Sequence, residues 1–439
     1  AREFKVLFFP WLAHGHVSPF FELAKRLSKK NFKTYICSTR VNMESIQATP
    51  DSAVDFVELH MPPSPEFPPE LQTTRNANGY LVQALMKKLH LCKSIFFEIL
   101  TSIKPDLLIY DFLQLWSAKQ ALSMDIPSVY FAPSSTAYHS YYHHLYTNGS
   151  TEKYPLEAIY LHDHERFDLK HFKNLIEDIG DGFTFDDFNL STKIMLVKSY
   201  GQVEAKYVSH LSNLSKTKIV LTGPLIAESA NLNGAEKSNE IMNWLNDQQK
   251  LSIVYISFGS EHVLSKEQIY EISKGLELSR VRFLWVIRFA VGKKETFLEE
   301  ILPEGFLDRT KDDGIIVTEW APQKKILAHP SIRAFISHCG WSSVTEGLYF
   351  GVPIIAMPIH VDQPINARLL VDVGAGIEVD RKPNEIFMGI AIAKTITKVI
   401  CNEFVYQKMK KRTVHWSNEI RENEEEELNG VAEELRKIC

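Results

Sequence analysis

A chain of 439 residues is too long for one ordinary core and fits two domains of roughly 200 residues each, so two domains with a cleft between them are expected. With 45% hydrophobic and 23% charged residues the composition excludes disordered and fibrous classes, and a formal net charge of −5 with both signs interspersed excludes a broad basic face for nucleic acid. Five scattered cysteines form no CxxC pair, which predicts reduced thiols in a reducing compartment. No leader pattern and no apolar run of about 18 residues is present, so the expectation is a cytoplasmic protein without stable membrane insertion.

In chain order, residues 5–9 form an apolar run, and 19–29 has helical spacing with a proline near its start; the pair reads as a strand, a His/Gly loop and a helix. The rhythm returns at 34–38, at 106–110 followed by a helix from Gln114, and at 128–131 followed by an aromatic helical stretch. Strands alternating with helices predict a parallel sheet covered on both faces. Residues 151–188 are irregular, aromatic and charged, and are expected to form a mobile loop over the cleft. The polar stretch 228–240 is the expected linker between a first domain, 1–227, and a second, 241–415. In the second, apolar runs at 253–258, 282–288, 315–318, 333–337 and 353–356 predict another doubly wound sheet. The pattern beyond Phe387 is helical; 416–439 is expected to pack back on the first domain, with the charged run 419–427 as a solvated face.

In open parallel sheets ligands settle beyond the carboxyl ends of the strands, so the loops there carry the chemistry. His16 lies at the start of the first helix, where the positive end of the backbone dipole disfavours imidazolium. Asp111 directly follows another strand, at the same edge, and suits a partner that fixes the tautomer of His16; a structural or capping pair is the alternative. A metal shared by His14 and His16, or by His139 and His143, is disfavoured because no carboxylate or third histidine stands at ligand spacing. A serine hydrolase is disfavoured by the absence of a Gly-x-Ser-x-Gly elbow. In the second half, the run from Ser257 to Ser260 and the run from Ser337 to Ser343 offer small residues, hydroxyls and amides suited to a diphosphate. Glu346 can accept both hydrogen bonds of a vicinal diol, and Asp362 and Gln363 suit sugar hydroxyls. The aromatic run 138–146 offers ring faces for a glycoside or, equally, for core packing.

From Trp320 to Gln363 the order Trp-Ala-Pro-Gln, His-Cys-Gly-Trp, Glu-Gly, Asp-Gln resembles the signature box of plant secondary-product glycosyltransferases that use a uridine diphosphate (UDP) sugar. The resemblance implies the GT-B fold: α/β, with two doubly wound Rossmann-like domains facing a cleft, the acceptor held by the N-terminal domain and the donor by the C-terminal one. It implies that Trp320 stacks on uracil with the Ala321 backbone at its edge and Gln323 near the ribose, that Glu346 holds the ribose diol, and that His338, Ser343 and Ser260 meet the diphosphate. Trp341, Asp362 and Gln363 are implied to hold the transferred sugar, with Gly15 and Ser342 completing the donor set. His16 matches the family's base and Asp111 its partner. Trp11, Ser134, Tyr138 and Tyr142 are the expected acceptor contacts.

Members of the family invert the anomeric centre and need neither metal nor resident cofactor, so the implied partners are a UDP-sugar, UDP-glucose by analogy at Gln363, and a small-molecule glycoside acting on a monomer. The sequence departs from the usual pattern at Ser342, where most members have Asn, and at Pro133, where many place a hydroxyl residue. The stretches from Phe9 to His16, Cys37 to Thr39 and Leu108 to Asp111 resemble the subgroup that adds a sugar to a sugar already carried by a terpenoid or flavonoid. Alternatives are transfer to a free aglycone hydroxyl, a nucleotide-sugar epimerase, which would lean on acidic residues around the sugar, and a non-catalytic sugar-binding protein.

Overall fold

A computed structural model describes residues 3–46, 53–62, 64, 67–76, 79–149, 152–166, 190–226, 235–289, 298–382 and 386–439. The chain divides into two compact units: Ala1–Pro155, Phe167–Ala230 and Glu422–Cys439 form the first, and Leu156–Arg166 with Asn231–Arg421 form the second.

The first unit is built on seven parallel strands: β1 (Phe4–Phe9), β2 (Phe32–Ser38), β3 (Val54–Glu58), β4 (Leu107–Tyr110), β5 (Ser128–Ala132), β6 (Ile194–Val197) and β7 (Lys218–Leu221). Their order across the sheet is β3-β2-β1-β4-β5-β6-β7. Central strands covered on both faces must be apolar throughout, and Leu107–Tyr110 and Ser128–Ala132 are buried at every position. The helix His14–Ser28 lays Phe20, Leu23, Ala24 and Leu27 into the same core as Phe8, Ile109 and Phe131. Leu428, Val431, Ala432 and Leu435 from the last helix complete that core, each leucine or valine contributing about 1.5–3 kcal/mol when fully buried.

The second unit carries six parallel strands: β8 (Ile253–Ser257), β9 (Arg282–Val286), β10 (Gly314–Val317), β11 (Ile332–Ser337), β12 (Ile354–Ala356) and β13 (Gly376–Glu378), in the order β10-β9-β8-β11-β12-β13. Its core joins Ile256, Trp285 and Ile336 to Leu276, Ile392 and Ile396 of the flanking helices. Both sheets reverse winding direction beside their first strand: β1 lies between β2 and β4, and β8 between β9 and β11. At such a reversal adjacent loops diverge and leave a crevice at the carboxyl ends. The loops after β1 and β4 carry His16 and Asp111, and those after β8 and β11 carry Ser260 and His338.

Four boundaries differ from the sequence reading. The helix Ala235–Asn246 begins inside the polar stretch 228–240, of which 228–234 lies outside the described residues. The terminal helix is a single element, Glu403–Ile438, that changes units at Glu422 instead of starting at 416. Of the stretch 151–188, Leu156–Arg166 belongs to the second unit, anchored by a buried ion pair described below; 167–188 lies outside the described residues. The run 419–427 is also more than a solvated face: Glu424 pairs with Arg26, Glu425 with Lys30 at 2.6 Å, and Glu427 accepts the Gly201 N–H at 3.0 Å. Charges read as a surface run thus dock the helix end on the first unit. Among the described residues no helix is long and apolar enough to cross a membrane.

Candidate active site

His16 stands in the first turn of the helix that follows β1, and Asp111 is the residue after β4, the strand paired directly with β1. Their side chains meet, with His16 Nδ1 2.7 Å from Asp111 Oδ2. Asp111 is fully buried, and its carboxylate also accepts N–H bonds from Trp11 at 3.0 Å and Phe112 at 2.8 Å. A buried carboxylate held by two fixed amides is a rigid acceptor, so Nδ1 keeps its proton toward Asp111 and Nε2 carries the lone pair. Gln114 ties the two loops together through its bond to the Pro10 carbonyl at 2.8 Å. The geometry is that of a general base with its orienting partner.

Of the expected acceptor residues, Ser134 and Tyr138 are half-buried. Trp11 and Tyr142 are 4% and 1% exposed: Trp11 contributes its backbone N–H to Asp111, and Tyr142 packs against Tyr138 and Tyr141. Sequence reasoning weighed His139 only as a metal ligand. Its Nε2 lies 2.8 Å from Ser134 Oγ, and burial, with lesser contributions from His143 and His16, pushes its pKa down to about 3. It is therefore a neutral hydrogen-bonding group that orients the Ser134 hydroxyl. Glu204, from the helix Gly201–Ser215, caps the same aromatic helix by accepting from the amides of Thr136 at 3.1 Å and Ala137 at 2.8 Å.

In the second unit the segments after β8, β10, β11 and β12 carry the remaining residues. His338 is half-buried, and burial together with His360 and His262 pushes its pKa down to about 3, so it offers a neutral imidazole and not a cation. Two glycines make room for that ring. A Cβ on Gly259, whose φ is +78°, would fall 2.8 Å from the imidazole, and one on Gly340 would fall 2.5 Å from Nε2. Cys339, at φ +64°, turns the loop so that the helix Trp341–Tyr349 starts immediately after it. Trp341, the first residue of that helix, is only 3% exposed, and its amide stands at the helix N-terminus. Ser342 is half-buried and Ser343 is 6% exposed in the same first turn.

Trp320 is 40% exposed and presents a ring face, while Ala321 beside it is buried. Gln323 is fully engaged: its Nε2 donates to Glu346 Oε2 at 2.8 Å and to Ser343 Oγ at 3.4 Å, and its Oε1 accepts from the Tyr255 hydroxyl at 3.1 Å. These bonds fix the Gln323 amide beside the Glu346 carboxylate. Asp362 Oδ2 accepts from Asn366 Nδ2 at 2.8 Å, and the same amide donates to the Cys339 carbonyl at 3.0 Å, so one side chain ties two ligand loops together. Gln363 Oε1 accepts from the amides of Ile359 and His360, and its Nε2 lies 3.5 Å from His360 Nδ1, so the side chain is held against this loop. Tyr255 and Asn366 carry no signal in the sequence that separates them from core residues. Among the described residues no cluster of three or more His, Cys, Asp or Glu side chains is disposed to hold a metal ion.

The model of the family described as UDP-glucoronosyl and UDP-glucosyl transferase matches residues 71–421. UDP-glucosyltransferase 29 of Panax ginseng is 40% identical over 98% of this chain and 96% of its own length. The β-D-glucosyl crocetin β-1,6-glucosyltransferase of Gardenia jasminoides is also 40% identical, over 98% of each chain. The crystal structure of Glycyrrhiza uralensis UGT73P12 complexed with glycyrrhetinic acid 3-O-monoglucuronide superimposes with a TM-score of 0.85, covering 100% of this chain and 96% of that one at 22% identity, which shows the shared GT-B fold. The chain belongs to the UDP-glucoronosyl and UDP-glucosyl transferase family and is a UDP-sugar-dependent glycosyltransferase.

Proposed function

We propose that the protein transfers glucose from UDP-glucose to a hydroxyl of a sugar already attached to a terpenoid or flavonoid, with inversion at the anomeric carbon. The observation that carries the chemistry is the 2.7 Å contact between His16 Nδ1 and the buried Asp111 carboxylate. Nε2 takes the proton of the acceptor hydroxyl; the acceptor oxygen bonds to C1 of the donor as the bond from C1 to the β-phosphate oxygen breaks, and the electron pair leaves with UDP. Asp111 stabilises the imidazolium so formed, and one such base contributes typically 10²–10⁴-fold, about 3–5 kcal/mol. A single displacement inverts the centre.

On the donor side, Trp320 stacks on uracil with the Ala321 backbone at its edge, and Glu346, oriented by Gln323, accepts the ribose hydroxyls. Ser260, His338, Ser342, Ser343 and the Trp341 amide receive the diphosphate, and Gly15 is a further donor contact. Asp362 and Gln363 hold the transferred glucose. A neutral His338 donates one hydrogen bond to the diphosphate and adds no counter-charge, so the N-terminal amides of the helix Trp341–Tyr349 supply most of the anion's stabilisation. On the acceptor side, the Ser134 hydroxyl, held by His139, meets the acceptor sugar, and Tyr138 offers a ring face to the aglycone.

The acceptor class is supported by the Gardenia relative, whose name places its own activity on a glucosylated crocetin. Incubating free aglycones beside their monoglucosides with UDP-glucose, UDP-galactose and UDP-glucuronic acid tests the reading. Turnover confined to monoglucosides with UDP-glucose supports it, and faster transfer to free aglycones overturns the acceptor class.

A further inference from the structure

Eleven residues of the second unit, Leu156–Arg166, lie in the sequence between two segments of the first. What holds this excursion is a cluster of four charged groups. Glu165 and Arg368 are 3% and 5% exposed at their side chains, and Arg368 Nη2 donates to both Glu165 oxygens, at 3.0 and 2.8 Å. Arg381 reaches Glu165 at 3.3 Å, Glu378 lies 3.4 Å from Arg368, and the Tyr160 ring lies 5.0 Å from the Arg368 guanidinium. Glu165 is set in place locally, its Oε2 accepting the His162 amide at 3.0 Å across a single 3₁₀ turn.

Arg368 lies on the helix Gln363–Asp372, and its Nη1 donates back to the Pro364 carbonyl at 3.0 Å, in the first turn of that helix. Asp362 and Gln363 stand at the start of the same turn, and Asn366 fixes Asp362 from within it. With the Glu165 charge removed, Arg368 keeps the 3.4 Å carboxylate contact to Glu378 and is drawn toward it, which disturbs the side chain that closes this turn. We infer that Glu165 is a positioning residue for glycosyl transfer: through Arg368 it holds the helix start that presents Asp362 and Gln363 to the donor sugar. The inference rests on the reading of those two residues as sugar contacts.

The test compares UDP with UDP-glucose by calorimetry, together with kcat and KM for UDP-glucose, in the parent, E165Q, E165D and D362A. UDP lacks the sugar, so a displaced Asp362 and Gln363 leave its affinity untouched. In E165Q the UDP-glucose affinity and kcat/KM are expected to fall about tenfold, with UDP affinity held within about twofold, since sub-ångström misplacement of a contact is enough for losses of this size. In E165D, which keeps the charge, both are expected within about threefold of the parent. Equal loss for UDP and UDP-glucose in E165Q, or no loss for either, overturns the inference. If D362A lowers UDP-glucose affinity selectively while E165Q does not, the sugar contact stands and the positioning role falls; if D362A has no selective effect, both fall. Should E165Q fail to fold, R381Q, which removes the 3.3 Å contact to Glu165, is expected to lose UDP-glucose affinity about two- to threefold without loss for UDP, and equal losses again overturn the inference.

Discussion

Replacing Asp111 with asparagine exchanges one carboxylate oxygen for an NH2 group and removes one charge in a fully buried position, and its consequences can be worked through atom by atom. Oδ2 accepts from both the Trp11 amide and His16 Nδ1, and Oδ1 accepts from the Phe112 amide. If the new amide group takes the Oδ2 position, it faces two N–H donors: the Trp11 amide is orphaned and His16 is driven to the tautomer with its proton on Nε2, which cannot act as a base. If it takes the Oδ1 position, the Phe112 amide is orphaned and the contact to His16 survives without its charge. Either way the imidazolium loses its anion, and kcat/KM should fall by roughly 10²–10⁴, about 3–5 kcal/mol. One orphaned buried N–H should lower folding stability by about 1–3 kcal/mol, so activity must fall further than stability alone explains. Initial rates of UDP release with a monoglucoside acceptor, UDP affinity by calorimetry and a thermal melt separate the effects. A D111N enzyme that is folded, binds UDP normally and turns over within about fivefold of the parent would refute the assignment.

Three further outcomes follow from the donor loops and the first core. Gln323→Ala removes the 2.8 Å bond that orients Glu346, and UDP affinity measured by calorimetry should fall roughly tenfold, about 1.5 kcal/mol; unchanged affinity would remove Gln323 from the donor site. Gly259→Ala places a Cβ 2.8 Å from the His338 ring at a φ of +78°, costing about 1–2 kcal/mol in strain alone, so both melting temperature and UDP affinity should drop; a neutral result would mean the loop is looser than its geometry. Burial raises Glu204 from 4.5 to about 7, so the folded state keeps a proton that the unfolded state releases; its stabilising contribution is full below pH 4.5, shrinks as pH rises to 7 and is constant above. Melting curves of the parent should therefore lose up to about 3 kcal/mol relative to E204Q across that window, and parallel curves would contradict this.

The parts of the fold that were legible in the sequence are those where both sheet faces are buried. The runs at β1, β2, β4, β5, β8, β9, β11 and β12 are mostly apolar because helices cover these inner strands on two sides, and β10, a partly buried edge strand, is legible from its Ile-Ile-Val run alone. The strands that the runs did not single out are β3, β6, β7 and β13. Three of these are edge strands: Val54–Glu58 alternates with charges, Lys218–Leu221 is half-exposed, and Gly376–Glu378 has three residues. Edge strands bury one side only, so their pattern approaches that of a loop.

Site legibility followed the same physics. His16 and Asp111 were readable because each follows a recognisable strand, and the structure brings them into contact. The bonds of Gln323 and the burial of Trp341 were not, since both depend on residues brought near only by the fold. The acidic run near the C-terminus was misread for a related reason: Arg26 and the Gly201 amide, far away in sequence, are what turn exposed-looking glutamates into docking contacts.

The central claim is that His16 is the base of a glycosyl transfer. Single-turnover transfer from radiolabelled UDP-glucose to a monoglucoside acceptor, in the parent and in His16→Ala, tests it most directly when paired with UDP affinity. Transfer should slow by about 10²-fold or more while UDP affinity stays within about twofold. Near-parental transfer by the alanine enzyme would contradict the account.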